Sequence, residues 1–467
     1  MISGPPLVST TSVRLPRPES RLGRAESSRA LHDRLRRGLR RARAETDALF
    51  ALVRAGWLYE RPIRERHRLA FYLGHLEAFD WNLLCRDGLG LRPFDRGLDD
   101  LFAFGIDPVG GAAVPTDAAA DWPSVAVIER YGRRVRAALD DALEACAFSD
   151  RLARPEPGDA GAVDLAIEHR LMHAETLAYL LHQLPPRAKA PGPLPQADST
   201  APALRFIEVA AGTARLGTPR SHAGFVWDNE YDEHDVAVPA FAIDSRNVTN
   251  GDYLRFVLAG GYGDRALWSP EAWAWREAAG VEHPGYWRKR NGRWLYRAMF
   301  GEVPLDGSRP VYVSHGEASA YARWRGAALP TEAEYHRAAF GGPGDADRSF
   351  PWGESAPTPA HGVYGVGPWD PDPVGAHPAG DTPEGASDLM GNGWEWTSSP
   401  FEPFPGFEPL AAYRGYSADF FDGKHYVLKG ASPRTAAPLV RRSFRNWFQP
   451  HYQYVYAGFR CVSKPLD

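Results

Sequence analysis

Cysteine is nearly absent: three occur in 467 residues, at Cys85, Cys146 and Cys461. A secreted chain of this length usually carries more, so a reducing, cytoplasmic setting is expected. Long apolar runs are also missing. Nothing approaches the roughly 20 residues that cross a bilayer, and the first residues hold no apolar core of signal-peptide length. Charge of one sign is lacking too. The formal net charge is -4 and the pI is near 6.4, so the balance gives no reason to expect nucleic acid or a membrane surface as partner. Length alone exceeds one ordinary core, and 44% apolar with 24% charged residues is the balance of a globular protein of two or three domains.

What is present is unevenly spread. Residues 1–24 are rich in Pro, Ser and Arg and read as a loose tail. Arginine crowds residues 1–70, as in Arg34-Leu-Arg-Arg37 and Arg40-Arg-Ala-Arg43, and interleaved acids make this a solvated helix face rather than a patch for an acidic partner. Helical periodicity covers about 26–56, 63–86, 121–148 and 161–184, which suggests an up-and-down bundle over 25–184 with a long middle connection. Residues 185–202 hold a dense series of prolines, which cannot continue a helix and read as an extended linker. From 203 to 467 the helical signal fades. Aromatics and glycines dominate, strands are short, and two helices stand out: about 315–325, and 331–340 with Thr331 as N-cap and Glu334 completing a capping box.

The sharpest chemical signal is His169-Arg-Leu-Met-His173-Ala-Glu175. Histidines at i and i+4 project from one helix face and can reach one metal ion. Glu175 lies around the helix from both and suits a supporting or packing role. A third ligand must come from another helix. His75, in the apolar segment Phe71-Tyr-Leu-Gly-His75, is preferred over His67, which sits in an arginine-rich turn facing solvent; Gly74 beside it allows a neighbouring backbone to approach closely. Three neutral imidazoles with open positions suit iron(II), and zinc satisfies the same ligand type.

These motifs resemble a known family. The His-x3-His-x-Glu helix with an upstream Leu-Gly-His is similar to the DinB-like iron-binding domain of the ergothioneine-type sulfoxide synthases. Leu329-Pro-Thr-Glu-Ala-Glu334, Gly391-Asn-Gly-Trp-Glu-Trp396, Phe444-Arg-Asn-Trp447 and Gly458-Phe-Arg460 resemble the C-type-lectin-like fold of formylglycine-generating enzymes, which those synthases carry as their C-terminal domain. The fold class implied is α+β multidomain, a DinB-like four-helix bundle followed by a formylglycine-generating-enzyme-type domain over 203–467. Formylglycine-generating activity itself needs a cysteine pair, and only Cys461 lies after the linker.

The resemblance implies an oxidoreductase that uses iron(II), with O2 as co-substrate, to join a chalcogen to C2 of the imidazole of hercynine (N-alpha-trimethylhistidine), and calcium as a structural ion. It implies Tyr413 as proton donor, and substrate contacts from Tyr416, Asn446, Trp447, Phe448 and Met172. Departures also count. Phe448 stands where the family has aspartate, Met172 where glutamine is frequent, and the nearly uncharged stretch 101–114 lacks the arginines that hold a gamma-glutamylcysteine carboxylate. A pocket without paired guanidiniums suits a neutral, hydroxyl-rich co-substrate. That combination is similar to the selenosugar-using branch of the family, the selenoneine synthases. Three alternatives compete: a synthase taking cysteine, gamma-glutamylcysteine or histidine as co-substrate, a zinc or nickel hydrolase or thiol transferase, and a non-catalytic sugar-binding module.

Overall fold

The computed structural model describes residues 28–103, 118–144, 161–196, 200–222, 224–342, 346–365, 367 and 369–463. The expected tail at 1–24, Cys146 and most of the uncharged stretch 101–114 lie outside them.

The first half is helical. Helix α1 (Ser28–Leu52) buries Leu31, Leu35, Leu39, Ala42 and Leu49, an i, i+4 stripe, against α5 (Ala162–Gln183). Helix α2 (Leu69–Asp80) packs on both α4 (Val125–Glu144) and α5, and α3 (Arg96–Leu101) is one short turn between them. The second expected helix is shorter at its start than its periodicity implied. Residues 63–68 form turns, and the helix continues past Asp80 as a π-helical stretch, Trp81–Gly88. The solvated-arginine reading fails at two positions, because Arg43 and Arg66 are buried. Arg43 pairs with Asp140 of α4 at 2.8 Å.

Helix α5 has no outward face. Leu165, Ile167, Leu171, Leu177 and Leu180 are buried, and so are Glu168, His169, Arg170, His173, Glu175 and His182. A helix buried all round with this many ionisable groups must find a partner for each of them. Arg170 reaches back to α2, donating to Glu77 (3.0 Å), Asp80 (2.7 Å) and the Leu76 carbonyl (2.9 Å). These bonds fix the register of α5 on α2, the two helices that carry the histidines.

The proline-rich segment is described over 185–196 and 200–202 and is tied to the first half. It carries a 3-10 turn at Pro186–Ala188, and Lys189 bridges to Val53. The second half is built from short strands: β1 (Phe206–Val209), β2 (Gly212–Leu216), β3 (His234–Val238), β4 (Phe241–Asp244), β5 (Trp287–Arg290), β6 (Arg293–Arg297), β7 (Glu302–Pro304), β8 (Gly393–Pro400), β9 (Tyr426–Ala431), β10 (Asn446–Phe448), β11 (Ala457–Gly458) and β12 (Val462–Ser463). Helices α6 (Asn250–Leu258), α7 (Pro270–Ala279), α8 (His315–Trp324) and α9 (Glu332–Phe340) flank them. The capping box of α9 is present, with Thr331 accepting from the Glu334 amide at 3.1 Å and Glu334 accepting from the Thr331 amide at 2.8 Å.

The sheet that matters for the site runs β10-β9-β8-β11. It places Asn446, Trp447 and Phe448 on an edge strand opposite Leu428, Val427 and Tyr426. Buried residues of α1, α2, α4 and α5 join Trp227, Trp394, Trp396, Tyr416 and Phe444 in one continuous apolar core. No helix among the described residues is long and apolar enough to cross a membrane.

Candidate metal centre and substrate cavity

His75 from α2 and His169 and His173 from α5 converge, with ligand atoms all within 4.8 Å of one another and all three side chains buried. Among the described residues no other group of three or more His, Cys, Asp or Glu meets that criterion. The geometry sets the chemical state of the trio. His75 Nδ1 lies 2.7 Å from the Phe102 carbonyl, which can only accept, so Nδ1 carries the proton and Nε2 presents a lone pair. That Nε2 is buried and has no hydrogen-bond partner in the protein. The Nε2 atoms of His169 and His173 face each other at 3.1 Å. Burial holds the His75 pKa down at about 4 and those of His169 and His173 well below the ordinary range, so all three are neutral near pH 7.

An orphaned buried nitrogen beside two nitrogens pointing at one spot is what a cation with three imidazole ligands requires. At metal–nitrogen distances of roughly 2.0–2.1 Å, a 3.1 Å gap corresponds to an N–metal–N angle of about 100°. The residues therefore fit a divalent transition metal. Gly74 explains how the carbonyl reaches His75. A Cβ there would lie 2.5 Å from three atoms of the Phe102 ring, so the close approach is made by an aromatic side chain and not by the neighbouring backbone anticipated, and the same residue's carbonyl fixes the ligand. His67 is not solvent-facing as expected. It is half-buried and stacked on Phe71, ring centres 4.1 Å apart, and it stays outside the trio.

His169 and His173 open onto a cavity of about 390 Å³. All the substrate-contact and proton-donor residues anticipated from the sequence line it as well, namely Met172, Tyr413, Tyr416, Asn446, Trp447 and Phe448, whereas His75 does not. Tyr416 is buried, not an exposed loop aromatic. Its ring stacks on Trp227 at 3.9 Å, and its hydroxyl donates to the Met172 sulfur at 3.3 Å. Tyr413 is half-buried, with its ring 6.0 Å from that of His169 and 5.4 Å from that of Phe79. Burial pushes its hydroxyl up to about 12, so it holds its proton at neutral pH. Phe79 stacks on His169 at 3.5 Å.

Three features escaped the sequence reading. Phe102 acts through a backbone oxygen, which leaves no side-chain signature. Arg66 lines the cavity although its neighbourhood reads as a solvated basic turn. Glu168 accepts from the Trp227 indole (2.8 Å) and from Arg441 (2.8 and 3.0 Å), tying the ligand helix to the second half. Glu175 was anticipated as a supporting group, and its partners lie more than 200 residues away: Trp394, Ser432 and Thr435 donate to it at 2.7, 2.5 and 2.9 Å. Cys461 is a buried free thiol whose pKa burial raises, which makes it a poor nucleophile.

Comparison with known proteins agrees with this architecture. Residues 192–465 match the family model described as "Sulfatase-modifying factor enzyme 1-like domain". "Hercynine oxygenase" of Mycobacterium tuberculosis is 38% identical over 71% of this chain and 76% of its own length. "Ergothioneine biosynthesis protein 1" of Neurospora crassa is 27% identical over 87% of this chain and 55% of its own. "Formylglycine-generating enzyme" of Mycobacterium tuberculosis is 29% identical over 56% of this chain and 98% of its own.

Proposed function

We propose a reaction from one premise: the chain belongs to the ergothioneine-type sulfoxide synthase family, a family of oxidoreductases, and carries a sulfatase-modifying factor enzyme 1-like, C-type-lectin-like domain in its C-terminal part. The reaction is formation of a carbon–selenium bond between C2 of the hercynine imidazole and a selenosugar, using O2 and iron(II). Residues 25–184 are read as a DinB-like iron-binding bundle, 185–202 as the linker, and 203–467 as the domain that closes the cavity. The observation that carries the reading is the buried trio of neutral imidazoles, two of which, His169 and His173, open onto a cavity walled by Tyr413, Tyr416, Trp447 and Phe448.

His75, His169 and His173 would hold the metal. When bound there, iron(II) would supply activation of O2 and oxidation of the chalcogen. The balance closes with one O2. An imidazole C–H and a selenol Se–H are lost, C–Se and Se=O bonds form, and the second oxygen leaves as water. Loss of the sugar from the selenoxide would leave a selenenic acid, and two electrons from a thiol reductant would take that acid to selenoneine with release of water.

The chain's own residues bind, orient and protonate. A quaternary ammonium donates no hydrogen bond and is held by ring faces, which Tyr416, Phe420 and Trp447 provide at the cavity wall. Tyr413, protonated at neutral pH and beside His169, is placed to deliver a proton to reduced oxygen. The donor assignment rests on charge. Among the described residues that line the cavity Arg66 is the one Lys or Arg, so they offer a dianionic peptide no pair of guanidiniums.

A thiol donor is the competing reading, favoured by the names of the relatives. Anaerobically loaded iron(II) protein is mixed with hercynine, O2 and either a selenosugar or a thiol (cysteine or gamma-glutamylcysteine), and products are weighed by mass spectrometry. The proposal expects selenium in the product from the sugar and little sulfur from the thiols. Efficient transfer from a thiol with none from the selenosugar would overturn it. Tyr413→Phe should retain iron and lose turnover by roughly 10²–10⁴-fold.

A further inference from the structure

A second cavity, of about 290 Å³, opens where the two halves of the chain meet. From the first half it is lined by Gln183, the last residue of α5 and one helical turn beyond Tyr179 of the substrate cavity. From the second half come the C-terminal end of α7, the turn that follows it, Arg288 of β5, and Gln453 with Tyr454. Most of these side chains are polar.

Arg288 is half-buried and held by one nitrogen. Its Nη1 donates to the carbonyls of Gly285 (3.0 Å) and Trp287 (2.6 Å), while Nε and Nη2 make no hydrogen bond among the described residues. Those two N–H groups form one edge of the guanidinium, the fork that grips a carboxylate through two parallel bonds. Arg297 is a second cation close by. Its Nη1 donates to the Gln183 side-chain oxygen at 2.9 Å, and burial together with the Arg288 charge holds its pKa below the ordinary value. Positive charge is thus gathered at one side of the cavity, with no carboxylate bonded to the free edge of Arg288.

The opposite charge stands across from it in the sequence of the turn. The C-terminus of α7 carries the negative end of the helix dipole and is capped by Gly280 at φ 62°. Glu282, two residues on, is exposed. The His283 Nδ1 lies 3.0 Å from the Pro284 carbonyl, which only accepts, so in the neutral ring Nε2 presents a lone pair. Gly285 keeps the space open, since a Cβ there would sit 2.7 Å from the Gln453 Oε1.

We propose that this cavity binds an amino-acid-type zwitterion, its carboxylate on the free edge of Arg288 and its cationic nitrogen on Glu282 and His283. Gln183 and Gln453 offer amide groups to a polar side chain. A volume of about 290 Å³ stands at the lower end of ligand pockets, which suits a molecule of that size. Because Gln183 belongs to the helix of His169 and His173, an occupant ties that helix to the second half. The site is independent of the reaction proposed for the first cavity.

The test is calorimetric titration of the anaerobic, iron(II)-loaded full chain with each protein L-amino acid at millimolar concentration. The tightest binder is then compared with its α-amide, its N-acetyl derivative and inorganic phosphate. Wild type should bind at least one amino acid saturably, and its α-amide and N-acetyl derivative at least about 10-fold more weakly. Arg288→Met should weaken the amino acid by the same factor and leave the α-amide's affinity and the iron content unchanged. Asn446→Ala, in the first cavity, should not alter the amino acid's affinity. An amide bound as tightly as the acid would overturn the inference, and that comparison needs no variant to fold. So would phosphate bound more tightly than any amino acid, an amino acid held equally well by Arg288→Met or lost in Asn446→Ala, or no saturable binding by any of them.

Discussion

Gly74→Ala probes how the ligand set is held. The added Cβ would sit 2.5 Å from three atoms of a Phe102 ring that is itself fully buried. The ring cannot swing into open space, so the overpacking should cost about 1–3 kcal/mol, offset by about 1 kcal/mol from replacing glycine within a helix. The net effect on stability is small, about 0–2 kcal/mol. The effect on the metal should be larger than that figure implies. Pushing Phe102 away displaces the carbonyl that accepts from His75 Nδ1 at 2.7 Å, and loss of such an orienting bond typically lowers metal affinity 10- to 100-fold. Gly38→Ala is the matched control. Its Cβ would press on the flexible Ile167 Cδ1 at 2.9 Å and touch no ligand partner. Anaerobic iron(II) titration alongside thermal unfolding separates the two effects. A Gly74→Ala protein that binds iron as tightly as wild type would refute the role given to the Phe102 carbonyl, whatever its stability.

Two further outcomes follow from the buried groups. Glu175→Ala strips the shared acceptor from Trp394, Ser432 and Thr435; the two hydroxyls can still bond each other, and the two buried donors left unmet should cost at least about 2 kcal/mol. Because α5 lies in a core common to both halves, urea unfolding should show this loss in a single transition, and two separate transitions would contradict the shared core. The metal-free protein should also weaken on acidification. The folded His75 pKa of about 4 lies below the unfolded value of roughly 6.5, so the unfolded state takes the proton first. Its contribution is complete above about pH 6.5 and drains by about 1.4 kcal/mol per unit down to about pH 4. His169 and His173 shift in the same direction and add to the slope. Stability measured in urea from pH 7.5 to 4.5 should show this fall, and His75→Phe should flatten it; an unchanged slope would count against a neutral, buried His75.

Local rules carried well from sequence to structure. The Thr331–Glu334 capping box depends on residues three apart, and the His169–His173 pair on one turn of helix, so both are visible in the string of residues. The four long helices follow from apolar periodicity; α2 departed most, at its start and its π-helical end, and α1 ends at Leu52 and α4 starts at Val125, each short of the expected range. Contacts between distant residues were less legible. Glu175 could be assigned a supporting role, but Trp394, Ser432 and Thr435 become its partners only when β8 and the turn after β9 meet α5. Arg66 sits among other arginines, and nothing local distinguishes it from Arg64, which is exposed. What singles it out is Tyr452, 386 residues later. The Phe102 carbonyl is a backbone group, and only the paired oddity of Gly74 beside His75 hinted that something must come close.

The central claim is that three neutral histidines from two helices hold one functional iron. Its most direct measurement is metal content and affinity after anaerobic iron(II) loading of the wild type and of the single His75→Ala, His169→Ala and His173→Ala proteins. The account predicts one tightly held equivalent in the wild type, and loss of tight binding in each variant with the fold retained by circular dichroism. Tight stoichiometric iron persisting in all three variants, or its absence from well-folded wild type, would contradict it.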